Sequence, residues 1–489
     1  MLYFIGGIIL LVVGYFTYGR LVEKIIGPDD RPTPGVAHPD GVDYLILPNW
    51  KNMLIQLLNI AGVGPVIGVI LGIKFGAIVF LIIPIGNIIG GAVHDFVAGM
   101  MSIRKDGANL PKLVDDSFGP KVAMAFTSFM TLLLLLVVAV FINIPASLID
   151  LMKPDTNLFW PAVVVIFIYY ICATMFPVDK IIGKIYPLFG ALLLIGSTAL
   201  FIALLVNGIK QPELLTESAA FKQGLIQQPI IPCLFVTIAC GILSGFHATQ
   251  SPIIARTMAS ERYGRRDFYG MMIAEGIIAM IWAAGGLAIY NLYPKLMAKA
   301  PALVLNEITT HFLGSFVGGI TVIAVIILAI TSGDTAMRSL RLSIAECCKF
   351  SQVNLKNRFI ITLPLIAIIT LLLIWSNLSA KSFNALWNYF AWGNQVLAVF
   401  TLFSTTVWLS RQNKNSLITL LPGIFMMFIV TTFIIWTSPE HQGPWGVGLE
   451  LNLSYLIAGI LTAILTVYVI YRGRQCRRAD LTANSADKQ

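Results

Sequence analysis

The chain has 489 residues, of which 57% are apolar and only 12% are charged, and its mean hydropathy is +0.83. A soluble protein of this length needs far more charge to cover its surface, so the composition excludes that class and indicates a multi-pass membrane protein. The net charge of +9 does not indicate a nucleic-acid partner, because the basic residues lie in short connections between apolar runs.

Thirteen apolar segments are candidates for crossing a bilayer, which takes about 18 or more residues. They cover residues 2–20, 53–73, 75–100, 121–146, 158–178, 184–206, 230–250, 268–290, 311–332, 358–376, 384–408, 417–437 and 451–471. No basic region precedes the first segment and no small-residue cleavage signal follows it. We therefore expect a retained first helix with its N-terminus outside, rather than a cleaved signal peptide.

The distribution of Lys and Arg predicts the orientation in the membrane. Of the 33 such residues, 26 fall in alternate connections, at 20–51, 104–121, 180–184, 256–266, 338–358, 411–414 and 472–488. The positive-inside rule places these connections in the cytoplasm, and an odd number of spans then places the basic C-terminal tail there as well.

Three further features are interpreted without assigning them a role in function. The connection 28–49, rich in Pro, Gly and Asp, is predicted to be a solvated linker, and the tail after Tyr471 to be disordered or bound to anionic lipid. The six cysteines have no metal-ligand spacing and are interpreted as buried free thiols: Cys172, Cys233, Cys240, Cys347, Cys348 and Cys476.

Two spans are interrupted by glycine and proline. Span two contains Ala61-Gly-Val-Gly-Pro65, and span seven contains Gly241–Pro252, which also holds a histidine and a glutamine. The two spans lie five spans apart and cross in opposite directions, which is the pattern of inverted repeats in secondary transporters. The sequence therefore predicts an all-α fold with broken helices and a five-plus-five inverted repeat.

This repeat divides the chain into four predicted parts. A transport core covers 53–408, preceded by an extra helix and a cytoplasmic loop at 1–52. Two further helices at 409–471 and a basic cytoplasmic tail at 472–489 complete the chain.

The two breaks supply the candidate substrate contacts. Backbone carbonyls freed by an unwound segment can bind a cation, and the N-terminus of the following half-helix can face a carboxylate. The polar residues near the breaks can contact substrate, with bonding between helices as the alternative for the amides and a structural role as the alternative for the histidine. The candidates are Gln56, Asn59, Gly62, Gly64, Pro65, Ser244, His247 and Gln250.

Ionisable and hydroxyl residues inside other spans are candidates for proton or cation coupling. For His94 and Asp95 the alternative is pairing of Asp95 with Arg104, and for Glu275 it is a salt bridge to the basic cluster 262–266. Thr331, Ser332, Asp334 and Thr335 can complete an oxygen-lined cation site, or Asp334 or Thr335 can cap a surface helix. In span eleven Trp392, Asn394 and Gln395 are further candidate substrate contacts that line a cavity, with bonding of neighbouring helices as the alternative.

Several of these motifs together resemble the carbon starvation (CstA) family of bacterial inner-membrane transporters. The matching segments run in family order: Ala61-Gly-Val-Gly-Pro65, His94-Asp95-Phe96, Arg104-Lys-Asp-Gly-Ala-Asn-Leu110, Gly245-Phe-His-Ala-Thr-Gln-Ser-Pro252, Ile254-Ala-Arg-Thr257, Thr331-Ser-Gly-Asp-Thr335 and Gly393-Asn-Gln395. The resemblance implies an inner-membrane carrier of peptides or pyruvate with the five-plus-five fold of the amino acid–polyamine–organocation superfamily. It also makes His247 and Gln250 the preferred contacts. Where family members carry His-His-Phe, this chain has Ile55-Gln56-Leu57, so its specificity is expected to differ.

The resulting hypothesis is a cation-coupled symporter, driven by protons, that imports a small peptide or a pyruvate-like carboxylate. The chain has no Gly-rich phosphate loop, nucleophile elbow or paired-His metal motif, so we expect neither an enzyme nor a bound cofactor. The alternatives are a membrane sensor for a starvation metabolite, which would need a soluble output domain, and an intramembrane enzyme. Proton against sodium coupling, peptide against pyruvate and the oligomeric state stay open.

Overall fold

The computed structural model describes residues 1–41, 43–175, 178–352, 354–441 and 443–486, and every regular element in this part of the chain is a helix. Nine of these helices are long and apolar enough to cross a membrane, or ten if one bent pair counts as a single span. The 17-residue helix Phe159–Met175 and the interrupted segment 230–255 fall below these limits. The chain is a multi-pass membrane protein, and the count of thirteen spans stays a prediction.

The N-terminal half contains the first of the two interrupted helices. Its longer helices are Leu2–Phe16, Tyr18–Ile26, Asn49–Ile60, Gly64–Phe75, Val79–Ile103, Leu110–Phe118, Pro120–Met152, Phe159–Met175 and Val178–Lys210. Helix Pro120–Met152 starts where its sequence predicts, because Gly119 adopts the positive φ of 88° and Pro120 is suited to the first helical position.

The C-terminal half begins with the second interrupted helix. Its longer helices are Gly245–Ala255, Glu261–Leu292, Pro301–Cys347, Leu355–Ser376, Ala380–Arg411, Leu417–Trp436 and Leu451–Ala486. Short helical turns at Pro34–Ala37, Pro154–Thr156, Pro212–Leu215, Ala219–Gln223, Pro294–Ala298 and Pro439–His441 occupy the connections.

Helix Glu261–Leu292 lies at the centre of the bundle. In its most apolar stretch 89% of residues are buried, against 22% for the peripheral helix Leu451–Thr482, although both are strongly apolar. Hydropathy marks both as spans, but only packing distinguishes a helix surrounded by protein from one that faces lipid. Broken helices and polar side chains at membrane depth need this protein-lined interior.

Two segments predicted to be solvated are docked onto the bundle. In the connection 28–49, the hydroxyl of Thr33 donates to the carbonyl of Met258 over 2.5 Å, and the amide of Leu47 donates to Thr257 over 3.1 Å. The interpretation as a solvated linker was therefore wrong, because a side-chain hydroxyl and a backbone amide of the connection satisfy carbonyls of the loop after Ala255.

The basic tail is helical in its described part rather than disordered, since Leu451–Ala486 continues through it. Arg411 forms two hydrogen bonds, of 2.8 and 2.9 Å, with the carboxylate of Asp480, and Arg472 donates to the carbonyl of Ser117. A bidentate guanidinium–carboxylate pair fixes orientation as well as contact, so the tail is held at the end of helix Ala380–Arg411.

Two further interpretations are corrected. Neither Asp334 nor Thr335 caps a surface helix, because helix Pro301–Cys347 runs through both residues and their side chains are buried. Of the four cysteines whose side chains are described, all are unpaired but only Cys233 is buried; Cys172 and Cys348 are exposed. Cys240 and Cys347 lie outside the described side chains.

Candidate functional site

Both predicted breaks are present as interruptions of the helical backbone. Helix Asn49–Ile60 turns by 52° into Gly64–Phe75, and residues 61–63 between them are not helical. In the second break, Leu243 and Ser244 are extended, with ψ of 115° and 121°, before helix Gly245–Ala255 starts. We call these two elements, 49–75 and 230–255, the first and second broken helix.

The two broken helices lie against each other at their breaks. A Cβ atom built on Gly241 would lie 3.1 Å from Val69 and 3.8 Å from the Cα of Pro65, and one built on Gly68 would lie 3.0 Å from the carbonyl oxygen of Thr237. These approaches leave no room for larger side chains, which explains glycine at both positions. The two predicted breaks therefore form one contiguous region.

Asn394 forms hydrogen bonds with polar groups at the start of helix Gly245–Ala255. Its side-chain oxygen accepts from the amide of Phe246 over 2.6 Å, and its amide donates to the hydroxyl of Ser244 over 2.7 Å. A helix start leaves unsatisfied N–H groups, which in a membrane interior must find a protein partner. Asn394 and Ser244, both predicted as substrate contacts, thus support the break itself.

A buried row of four ionisable side chains crosses this region, and we call it the His–Asp–His–Glu row. Asp95 accepts from Nδ1 of His94 over 2.8 Å and from Nδ1 of His247 over 3.1 Å, and Nε2 of His247 lies 3.7 Å from the carboxylate of Glu275. All four side chains are at most 1% exposed. The row joins helix Ala92–Ile103, the second broken helix and the central helix.

The row holds two carboxylates and two imidazoles, so its charge depends on how many protons it binds. With both imidazoles neutral and both carboxylates ionised, two negative charges would lie buried, which costs several kcal/mol per uncompensated ion. Each added proton cancels one charge, and His247 can carry it between Asp95 and Glu275 because a ring nitrogen faces each carboxylate. The arrangement is suited to proton binding and transfer.

Two predicted alternatives for these acids are wrong. Asp95 does not pair with Arg104, which instead forms a buried ion pair of 2.8 Å with Glu261. Glu275 does not pair with the basic cluster 262–266, whose three arginines face other carboxylates, those of Glu23, Asp30 and Asp267.

The hydroxyl residues of helix Pro301–Cys347 lie beside the first break and form a second group. Ser332 donates to the carbonyl of Leu58 over 3.0 Å, and a Cβ on Gly62 would lie 3.1 Å from the same hydroxyl. Asp334 accepts from the phenol of Tyr169 over 2.5 Å. The hydroxyls of Thr331 and Thr335 donate within their own helix, to Leu328 and Ser332. The predicted coupling residues therefore divide into this group and the His–Asp–His–Glu row.

Three buried amide side chains near the breaks have polar atoms without a hydrogen-bond partner among the described residues. Both polar atoms of Gln56 and of Asn59 are unsatisfied, as is the side-chain oxygen of Gln250, whose nitrogen donates to Thr249. An unsatisfied buried polar atom costs about 1–3 kcal/mol, which a polar ligand can remove. Helix Asn49–Ile60, which carries Gln56 and Asn59, packs against Gly245–Ala255, which carries Gln250.

Two predicted substrate contacts instead bond neighbouring helices. The indole of Trp392 donates to the carbonyl of Val430 over 2.9 Å, and Gln395 donates to Phe235 over 2.5 Å. Trp392 also lines an apolar cavity, so both alternatives for span eleven are present and the substrate contacts stay a prediction.

Sequence reasoning did not select two buried residues near the site. Asn87 donates to the carbonyls of Gly241 and Met272, and so satisfies the backbone just before the second break. Glu261 is fully buried beneath Arg104 and the connection 28–49, where it also accepts from the amide of Asp29. Asn87 could have been selected from the sequence, because it is a polar residue inside a predicted span. Glu261 could not, because it lies in a predicted loop, where a charged residue is ordinary.

Solved transporters share this fold. A manganese transporter from Eremococcus coleocola aligns over 90% of this chain and 99% of its own, with a TM-score of 0.56 and 14% identity. MhsT in complex with L-phenylalanine aligns over 88% of this chain and 99% of its own, with a TM-score of 0.52 and 14% identity. At this identity the comparisons show the fold alone.

Comparisons of sequence, unlike those of structure, identify the family of the chain. An uncharacterized membrane protein of Haemophilus influenzae is 41% identical over 60% of this chain and 92% of that protein. The peptide transporter CstA of Bacillus subtilis is 28% identical over 57% of each chain, and that of Campylobacter jejuni is 24% identical over 57% of this chain and 48% of its own. The chain thus spans about half the length of these peptide transporters. The family model described as carbon starvation protein CstA matches residues 1–159, 146–297 and 294–433, and the chain therefore belongs to the CstA family.

Proposed function

We propose that the protein is a secondary transporter that couples import of a small peptide or a pyruvate-like carboxylate to proton entry. The observation that carries the proposal is the buried His–Asp–His–Glu row, in which His247 lies on a broken helix and contacts acids on two other helices. The names of the peptide transporters in the family support the substrate class. The core at 53–408, the cytoplasmic C-terminus and the inner-membrane location belong to the same proposal.

Coupling follows from the position of His247 within the half-helix Gly245–Ala255. Substrate that binds at the break contacts this half-helix and displaces it relative to Asp95 and Glu275. A change in either distance, now 3.1 and 3.7 Å, changes how strongly the row holds its proton. A displacement that strengthens the hold on the proton makes the binding of substrate and of proton favour each other, as a symporter requires.

The unsatisfied amides of Gln56, Asn59 and Gln250 supply the substrate contacts in this proposal. Side-chain amides donate and accept at once, which matches both a peptide group and a carboxylate. If sodium replaces the proton as the coupling ion, it binds among the hydroxyl residues around Ser332, beside the carbonyl of Leu58.

Uptake into proteoliposomes tests the proposal. The purified full-length protein is given labelled pyruvate or labelled dialanine under a pH gradient, under a sodium gradient, and with neither. We expect accumulation above the external concentration under the inward proton gradient, and its loss when a protonophore collapses that gradient. Accumulation that depends only on sodium refutes proton coupling, and the absence of accumulation for both substrates refutes the transport proposal.

A further inference from the structure

A large cavity lies at the end of the bundle opposite to the Arg104–Glu261 pair. Its volume is about 820 Å³, within the range of about 300–1,000 Å³ typical of small-molecule sites. It is enclosed by the end of the first broken helix, the end of helix Pro120–Met152, the start of Pro301–Cys347 and residues 376–387. The proposed orientation places this cavity at the outer face.

Lys74 contributes a buried cation to the cavity wall. Its residue is 8% exposed, and its ammonium lies 5.7 Å from the ring centroid of Tyr290. Among the described residues no carboxylate oxygen lies within 4.0 Å of this ammonium. The nearby carboxylate of Glu217 accepts instead from the amide of Ala77. A cation–π contact only partly offsets the loss of water, so Lys74 is short of an anionic partner.

The same cavity carries one carboxylate, an apolar wall and a second lysine, Lys299, which is exposed. Asp150 is half-buried, accepts from the amide of Phe159 over 3.2 Å, and forms no ion pair among the described residues. Phe383 and Trp387 line the cavity between the polar groups. A ligand with a carboxylate, an ammonium and apolar substituents matches this set of groups.

Rings separate the cavity from the His–Asp–His–Glu row. Trp387 lies 5.4 Å from Phe390, which lies 5.9 Å from Phe141, which lies 5.7 Å from Phe246, between ring centroids. Phe246 is the neighbour of His247 in the second broken helix. A chain of four packed rings thus connects the cavity wall to the neighbour of His247.

We propose that this cavity is a substrate-binding antechamber in which Lys74 binds the carboxylate of the substrate and Asp150 binds its ammonium. The inference rests on the proposed transport function and narrows its substrate class to short zwitterionic peptides. A monocarboxylate such as pyruvate satisfies Lys74 alone and binds more weakly.

Calorimetric titration of the detergent-solubilised full-length protein, without any gradient, tests the antechamber. The probes are dialanine, its C-terminal amide, its N-acetyl derivative and pyruvate. The variants are Lys74→Met and Asp150→Asn, with Lys74→Arg as a conservative variant and Lys295→Met as the control, since Lys295 is exposed and lies outside this cavity.

We expect amidation and acetylation each to weaken binding to the unmodified protein about tenfold or more, the effect of losing one charge-assisted hydrogen bond. Lys74→Met should weaken the binding of dialanine by about the same factor as amidation does, and amidation should then have no further effect. Lys74→Arg should restore most of the affinity. Asp150→Asn should abolish the effect of acetylation only, and Lys295→Met should change neither.

The antechamber is overturned if amidation still weakens binding to Lys74→Met, or if acetylation has no effect on the unmodified protein. Unchanged gradient-driven uptake of dialanine by Lys74→Met overturns it too, while transport itself stands. Conversely, Lys74-dependent binding without any uptake by the unmodified protein refutes transport and leaves the binding site intact.

Discussion

Replacement of His247 by alanine is the most direct test of proton coupling. The imidazole bridges Asp95, at 3.1 Å, and Glu275, at 3.7 Å, and without it Asp95 retains His94 while Glu275 retains no cation within 4.0 Å among the described residues. Removing one partner of a buried ion pair costs about 3–5 kcal/mol. At 1.36 kcal/mol per factor of ten, about 3 kcal/mol corresponds to roughly 100-fold. Glu275 should therefore keep its proton throughout the cycle, and gradient-driven uptake should fall about 100-fold or more.

Two assays on the same vesicles separate coupling from folding. Gradient-driven uptake requires proton release, whereas counterflow of labelled against unlabelled substrate requires only the carrier in its protonated state. His247→Ala should lose gradient-driven uptake and retain most of the counterflow activity. His311→Ala is the control, because this histidine is exposed. Normal gradient dependence in His247→Ala would refute the role of the row, and an equal loss of both activities would reduce His247 to a structural residue.

Three further predictions concern stability and affinity. Gly245→Ala should lower the thermal midpoint markedly, because its Cβ would clash with the backbone of the adjacent helix, whereas Gly459→Ala, with open space around it, should not. Arg104→Met leaves the fully buried carboxylate of Glu261 with only the half-exposed Arg31, at 3.9 Å, and should cost about 3 kcal/mol in denaturant unfolding, against at most about 1 kcal/mol for the exposed Arg262→Met. Gln56→Leu should keep or raise the thermal midpoint, because its amide has no partner among the described residues, yet raise the KM for substrate; a large fall in the midpoint would contradict this reasoning.

Local sequence signals predicted the breaks well. Glycine and proline change the backbone options of their own positions, so Ala61–Pro65 and Gly241–Pro252 could be identified without knowledge of their neighbours. The family resemblance, which rests on the same motifs, is confirmed. The five-plus-five repeat, the domain bounds and the orientation stay predictions.

Partner choice could not be predicted, because it depends on groups far apart in the chain. Arg104 lies nine residues from Asp95 and was the obvious candidate, yet it pairs with Glu261, and Asp95 pairs with His247. Helix periodicity places a side chain on a face, but it does not say which helix packs against that face. The same limit applies to Asn394, whose polarity suggested substrate but whose amide supports a helix start.

The sequence by itself determined the membrane class, most of the spans, the family and the positions of both breaks, because apolar length and backbone permissiveness are local properties. Only the tertiary structure decided that the two breaks touch, that His247 lies between two buried acids, and that Lys74 faces a cavity without a counter-ion among the described residues. The physical reason is that the chemistry of a buried ionisable group depends on the charges and donors within a few ångströms. Such neighbours can lie far apart in the chain, as Asp95 and His247 do at a separation of 152 residues.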